Sequence, residues 1–201
     1  MADIYEGAQW MSADKQWPSL CAKIDELLAY SPQVLIAIDG DCGSGKSTLA
    51  EHLRADYDGN VLHMDHFFLR PEQRTEARFS EPGGNVDYER FSAEVLTPLK
   101  GGQAFAYRPF DCRISDFGEA IPIQPRRLNI IEGAYSLHPV LSDAYHIKVF
   151  LSITPDEQLR RIAWRDGEKL LKRFETEWIP KEKRYFAHFD IVKQCDFVFE
   201  Q

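Results

Sequence analysis

The chain has 201 residues, 44% of them apolar, and a formal charge of −8. That length and apolar share suit a compact enzyme with one sizeable core, and the acidic balance excludes nucleic acid as the main partner, because phosphate backbones are bound by basic surfaces. The opening Met1-Ala2-Asp3-Ile4-Tyr5-Glu6 has no basic or apolar leader, no stretch approaches a membrane span, and Cys21, Cys42, Cys112 and Cys195 are scattered; these features read as a cytoplasmic protein without membrane contact, disulfides or zinc.

The spacing of Leu20, Ile24, Leu27 and Leu28 predicts a leading helix over residues 16–30. A buried strand over 34–39 then runs into Gly40-Asp41-Cys42-Gly43-Ser44-Gly45-Lys46-Ser47-Thr48, which fits G-x-x-x-x-G-K-[ST]. Glycines let successive backbone N–H groups curl around a polyphosphate, and the helix that follows, over 46–55, points its free amides and positive dipole end at the same oxygens. Asp41 through Thr48 are therefore the expected nucleotide cradle. Lys46 is placed to reach the terminal phosphates, and the Ser47 hydroxyl to ligate the Mg2+ that accompanies a nucleotide. Cys42 reads as a small filler within that loop.

Further on, the pattern predicts a strand over 61–64 and a helix after Asp87 that carries Phe91, Val95 and Leu99 until Gly101-Gly102 stop it. Residues 103–123 read as an irregular hairpin. Buried strands follow over 128–131, 147–151 and 196–199. Alternation of strand and helix implies an α/β, doubly wound single domain over 1–201 with five core strands.

Ligands in such sheets sit at the carboxyl ends of the strands, which draws attention to two acids. Asp65, in His63-Met64-Asp65-His66-Phe67-Phe68, is a candidate to accept a proton from an attacking hydroxyl or to hold Mg2+, against the alternative of a turn or cap aspartate. Glu132-Gly133 ends the 128–131 strand and offers a carboxylate to the metal; the alternative is a cap for the next helix. His63 and His66 lack further ligands at metal-binding spacing.

Thr154-Pro155-Asp156-Glu157 has the form of a capping box, and nine of the chain's 24 basic side chains fall between Arg160 and Arg184. Arg161 and Arg165, four residues apart, share a helix face and can act on one triphosphate. Such a segment is either a solvated basic face or a closing lid that neutralises a phosphoryl group in transfer and excludes water.

From about residue 33 onward the chain resembles the uridine kinase branch of the phosphate-loop kinases, which includes phosphoribulokinase-like and pantothenate kinase-like members. The resemblance rests on the phosphate loop, on Asp65-His66-Phe67-Phe68 (similar to D-x-F-Y), Asn85-Val86-Asp87 (N-F-D), Arg108-Pro109-Phe110-Asp111 (P-x-Y-D), Ile131-Glu132-Gly133 (E-G), and Arg161 to Asp166 (R-R-x-x-R-D with one residue added). It implies the three-layer α/β sandwich of P-loop NTPases, with a five-stranded mostly parallel sheet, a substrate hairpin at about 103–123 and a helical lid at about 160–184. It further implies transfer of the γ-phosphate of ATP to a hydroxyl of a nucleoside-like small molecule, with Asp65 as base and Arg161 and Arg165 stabilising the moving group. Asp87, which its own context reads only as a helix N-cap, would bind sugar hydroxyls. Members of such families often associate, which leaves a homo-oligomer open.

The chain departs from that pattern where a base would be read. Phe68 and Phe110 stand in place of tyrosines, and Cys112-Arg113-Ile114-Ser115 contains no histidine. Loss of such polar groups removes strongly discriminating hydrogen bonds, so another acceptor than uridine is expected, with Tyr107, Arg108 and Arg113 available to a more acidic one. A nucleotide-hydrolysing switch is disfavoured by the lack of an N-K-x-D motif. A nucleotide-binding module without turnover is separated from a kinase by whether Asp65, Lys46 and the arginines converge.

Overall fold

The structure, a computed structural model, describes residues 15–201. The opening segment read above as lacking a leader lies outside the described residues. Helix α1 (Trp17–Tyr30) precedes strand β1 (Val34–Gly40), the phosphate-loop turn, helix α2 (Lys46–Tyr57) and strand β2 (Asn60–His63). A 3-10 turn (Met64–Phe67), a short helix α3 (Glu76–Ser80) and a longer helix α4 over 88–100 follow. Strands β3 (Phe105–Tyr107), β4 (Phe110–Asp111), β5 (Asp116–Phe117) and β6 (Ile121–Ile123) form two small antiparallel pairs, β3 with β6 and β4 with β5, which together make the expected hairpin. Strand β7 (Leu128–Glu132), helix α5 (Pro139–Ser142), strand β8 (Ile147–Ser152), helix α6 (Pro155–Asp166), helix α7 over 168–188 and strand β9 (Phe197–Glu200) complete the order.

The five long strands form one sheet in the order β2-β7-β1-β8-β9, parallel at every pairing. β1 lies at the centre and is buried along its whole length, as a strand covered on both faces must be. Its residues alternate between two cores. Val34, Ile36 and Ile38 meet Leu20 and Ile24 of α1 and Leu49 and Leu53 of α2 on one face. Leu35 and Ala37 meet Phe91, Val95 and Leu99 of α4 and Tyr185 and Phe186 of α7 on the other. Each fully buried Leu or Ile here stabilises the fold by about 1.5–3 kcal/mol over its exposed state. The result is the three-layer α/β sandwich of P-loop NTPases.

Two expectations shift in detail. Strand β2 ends one residue early, at His63, because Met64 turns inward to open the 3-10 turn on which Asp65 rides. The capping box does not form: the Thr154 side chain caps nothing, and Glu157 instead pairs with Arg160 and Arg161, whose guanidinium groups outcompete a backbone amide for its carboxylate. Prolines inside α4 and α7 are accommodated locally. Pro98 and Pro180 each stand two residues after the end of a π-helical turn, Ser92–Leu96 and Phe174–Trp178, whose wider turn relieves the clash a proline ring makes with the preceding turn.

Candidate active site

The crevice lies outside the carboxyl ends of β1, β7 and β2, where strand order changes direction around β1. It is a cleft of about 1490 Å3 lined by the phosphate loop, the turn after β2, the hairpin, and α6 and α7.

The loop is built by its glycines. Gly45, at φ 86°, occupies the left-handed region and hands the chain into α2. Gly40, at φ 135°, lies so close to β8 that a Cβ would sit 2.0 Å from the Leu151 carbonyl oxygen. The loop's rim is held by partners distant in sequence. Gln158 donates to the Cys42 carbonyl at 2.9 Å, Arg161 to the Gly43 carbonyl at 3.3 Å and to Gln201 at 2.8 Å, and Gln201 to the Ser44 carbonyl at 2.5 Å. Burial pushes the Cys42 thiol up, so it stays protonated and inert, as a filler should.

Three residues of α7 fasten that helix to the loop and to the end of β1. The Glu182 carboxylate accepts the Cys42 N–H at 3.1 Å, Lys183 pairs with Asp41 at 2.8 Å, and the Tyr185 hydroxyl donates to Asp39 at 2.9 Å. Asp39 is fully buried and also receives the Gly40, Tyr135 and Leu137 amides; burial raises its pKa and those donors oppose the rise. Burial likewise pushes Glu182 up to about 7.

Lys46 donates to the Gly40 and Asp41 carbonyls, each at 2.8 Å, which aims its ammonium along the loop. Ser47, in the first turn of α2, donates to Glu132 at 3.2 Å, and Glu132 also hydrogen-bonds His63 on the neighbouring strand. That bond raises the His63 pKa and fixes the carboxylate's direction. Asp65 opens to solvent through the cleft, yet protein crowds it elsewhere. This crowding, followed by the Glu132 charge, raises its pKa, while Lys46, His63 and Arg165 pull it down. Ser47, Asp65 and Glu132 therefore present only oxygens to one region, a donor set suited to a hard cation shared with phosphates. Among the described residues no group of three His, Cys, Asp or Glu side chains forms a metal site by itself.

The remaining sequence candidates divide. Phe68 and Phe110 line the cleft. Arg161 and Arg165 line it too, each paired with an acid, Glu157 at 2.7 Å and Asp166 at 2.8 Å. Asp87 does not reach it: the side chain is buried, caps α4 through the Arg90 N–H at 3.0 Å and accepts the Gln73 amide at 2.8 Å. The cap reading of its context describes the side chain as it stands. Arg108 spends its guanidinium on the Gly118 and Phe117 carbonyls, bracing the hairpin outside the cleft. Arg113 lines the cleft edge but is neutralised by Asp111 at 2.6 Å. Tyr107 is buried against His66 at 2.9 Å, and burial lowers His66 to about 4, so that imidazole is neutral at pH 7. Asp39, His63, Glu182 and Tyr185 escaped sequence reasoning, although an acid ending a buried strand directly before a phosphate loop was a usable signal for the first.

A parallel sheet with its phosphate loop at the switch point, faced by two strand-end carboxylates and arginine-bearing helices, defines a phosphate-loop kinase. No family model matches the chain. A Schizosaccharomyces pombe protein named "putative uridine kinase" is 31% identical over 183 residues, covering 79% of this chain and 77% of its own length. The uridine kinase of Brevibacillus brevis is 27% identical over 146 residues, 68% of this chain and 67% of its own. Among solved structures, a "possible uridine kinase" from Bacillus stearothermophilus matches with a TM-score of 0.63 at 19% identity, over 90% of this chain and 99% of its own. D-glycerate 3-kinase from Cryptococcus neoformans matches at 0.59 and 14%, over 90% and 87%. The chain belongs to the uridine kinase-like family of phosphate-loop kinases. No helix among the described residues is long and apolar enough to cross a membrane.

Proposed function

We propose that the protein transfers the γ-phosphate of ATP to a hydroxyl of a small molecule. The observation that carries this reading is the convergence of Lys46, Ser47, Asp65 and Glu132 on one region of the cleft, with Arg161 and Arg165 on its lid side. A nucleotide-binding module without turnover has no need of Asp65 there.

The loop amides and Lys46 hold the polyphosphate, and the first turn of α2 adds its dipole. Ser47, Glu132 and Asp65 would hold Mg2+, which supplies charge neutralisation to the phosphates when bound. Asp65 takes the proton from the acceptor hydroxyl as its oxygen attacks phosphorus; its raised pKa suits it to that task. His63 keeps Glu132 in place, and Arg165 meets the charge that spreads over the transferring oxygens. Phe68, Phe110, Pro109 and Phe79 give the acceptor end an apolar wall.

The test is an ATP-consumption screen over nucleosides and other small alcohols, repeated with Asp65→Asn. Turnover is expected for at least one acceptor, with the variant slower by about 10²–10⁴ and ATP binding retained. Full rate in Asp65→Asn removes the base assignment.

A further inference from the structure

Eight cationic side chains line the cleft, and six of them lie within 4 Å of a carboxylate. The two without such a partner among the described residues are Lys46 and Arg74. Lys46 faces the donor phosphates, which leaves Arg74 as the unmatched positive charge at the hairpin end.

Arg74 is not a loosely splayed surface arginine. Its Nε donates to the Leu69 carbonyl at 3.0 Å, its guanidinium lies 6.0 Å from the centre of the Phe110 ring, and one terminal nitrogen lies 3.8 Å from Cys112 Sγ. Arg74, Cys112 and the proposed base Asp65 line the same cleft. With Nε anchored on the Leu69 carbonyl and one terminal nitrogen beside Cys112, the other terminal nitrogen of this cleft-lining side chain is left to meet an anion. The nearby Asp111 is already matched to Arg113.

We infer that the acceptor carries an anionic oxygen group, carboxylate or phosphate, which Arg74 binds while the hydroxyl lies at Asp65. The inference rests on Asp65 receiving that hydroxyl. It also accounts for the apolar wall and for the withdrawal of Asp87 from the cleft: orientation comes from one charge pair in place of hydrogen bonds to a sugar and a base.

The experiment uses the full chain with matched acceptors: glycerate against glycerol, ribose 5-phosphate against ribose, and uridine. Turnover is measured for wild type, Arg74→Gln and Arg74→Lys, and acceptor binding is measured separately by calorimetry. Because Arg74 is exposed, Gln and Lys variants keep the fold, which an unchanged melting temperature checks. Turnover of charged acceptors with a KM raised at least tenfold in Arg74→Gln, partly restored in Arg74→Lys, and with the KM for ATP within about twofold of wild type, supports the inference, and the preferred pair tells carboxylate from phosphate. Turnover of uridine or another neutral acceptor with equal KM in all three proteins overturns it while keeping the kinase. Binding of charged compounds that Arg74→Gln abolishes, without any turnover, keeps the anion site and sinks the kinase reading. Neither binding nor turnover of the charged compounds overturns the inference outright.

Discussion

The Tyr185 hydroxyl donates to Asp39 at 2.9 Å across 146 residues of sequence, joining α7 to the strand that delivers the phosphate loop. Tyr185→Phe leaves a buried carboxylate one donor short while keeping the ring's contacts. A loss of about 1–3 kcal/mol is expected, seen as a fall of several degrees in thermal unfolding. A variant as stable as wild type would show that the remaining three amides satisfy Asp39 alone.

Lys46 spends its ammonium on two loop carbonyls and has no carboxylate within 4 Å among the described residues. Lys46→Ala should reduce ATP-dependent phosphorylation by at least about 10²–10³, measured at saturating acceptor, with native far-UV circular dichroism retained.

The two lid arginines are expected to separate kinetically. Arg161 holds the Gly43 carbonyl and Gln201, so Arg161→Ala should act mainly on the KM for ATP. Arg165 pairs with its neighbour Asp166 and, among the described residues, hydrogen-bonds no part of the loop, so Arg165→Ala should lower kcat by about 10³ at saturating ATP. Unchanged turnover would remove Arg165 from the mechanism.

Glu182 gives the fold a dependence on pH. Burial raises its pKa from an ordinary 4.5 to about 7, so the folded state binds the proton more tightly than the unfolded chain. Its contribution is therefore fully present below about pH 4.5 and is lost as pH rises through about 7, on the order of 3 kcal/mol in all. Glu182→Gln keeps an acceptor for the Cys42 N–H without the proton. The drop in melting temperature between pH 5 and pH 8 should be roughly 5 °C or more smaller in that variant than in wild type. Parallel profiles for the two proteins would deny Glu182 this role.

Local rules made much of this protein legible. The five strands follow from short apolar runs such as Val34 to Ile38, the loop from its glycines, and the stop of α4 from Gly101-Gly102. Asp65 and Glu132 stand out in the sequence because the ends of parallel strands are where ligands bind. What escaped was set by tertiary partners. Glu157 and Asp87 each had an obvious local role; a neighbouring pair of arginines took the first, and the second kept its cap. Glu182 and Tyr185 sit more than a hundred residues from what they touch, and no spacing rule connects them to Cys42 or Asp39.

Gly40 stands first in the phosphate-loop motif, yet the atom that forbids any larger residue there is the Leu151 oxygen of the adjoining strand, 2.0 Å from where a Cβ would lie. Replacing it drives β1 away from β8 before any nucleotide is involved. The motif thus contains two kinds of glycine with different modes of failure: damage at Gly40 registers as lost soluble protein, whereas damage at Gly45 registers as folded protein that has lost its grip on phosphate.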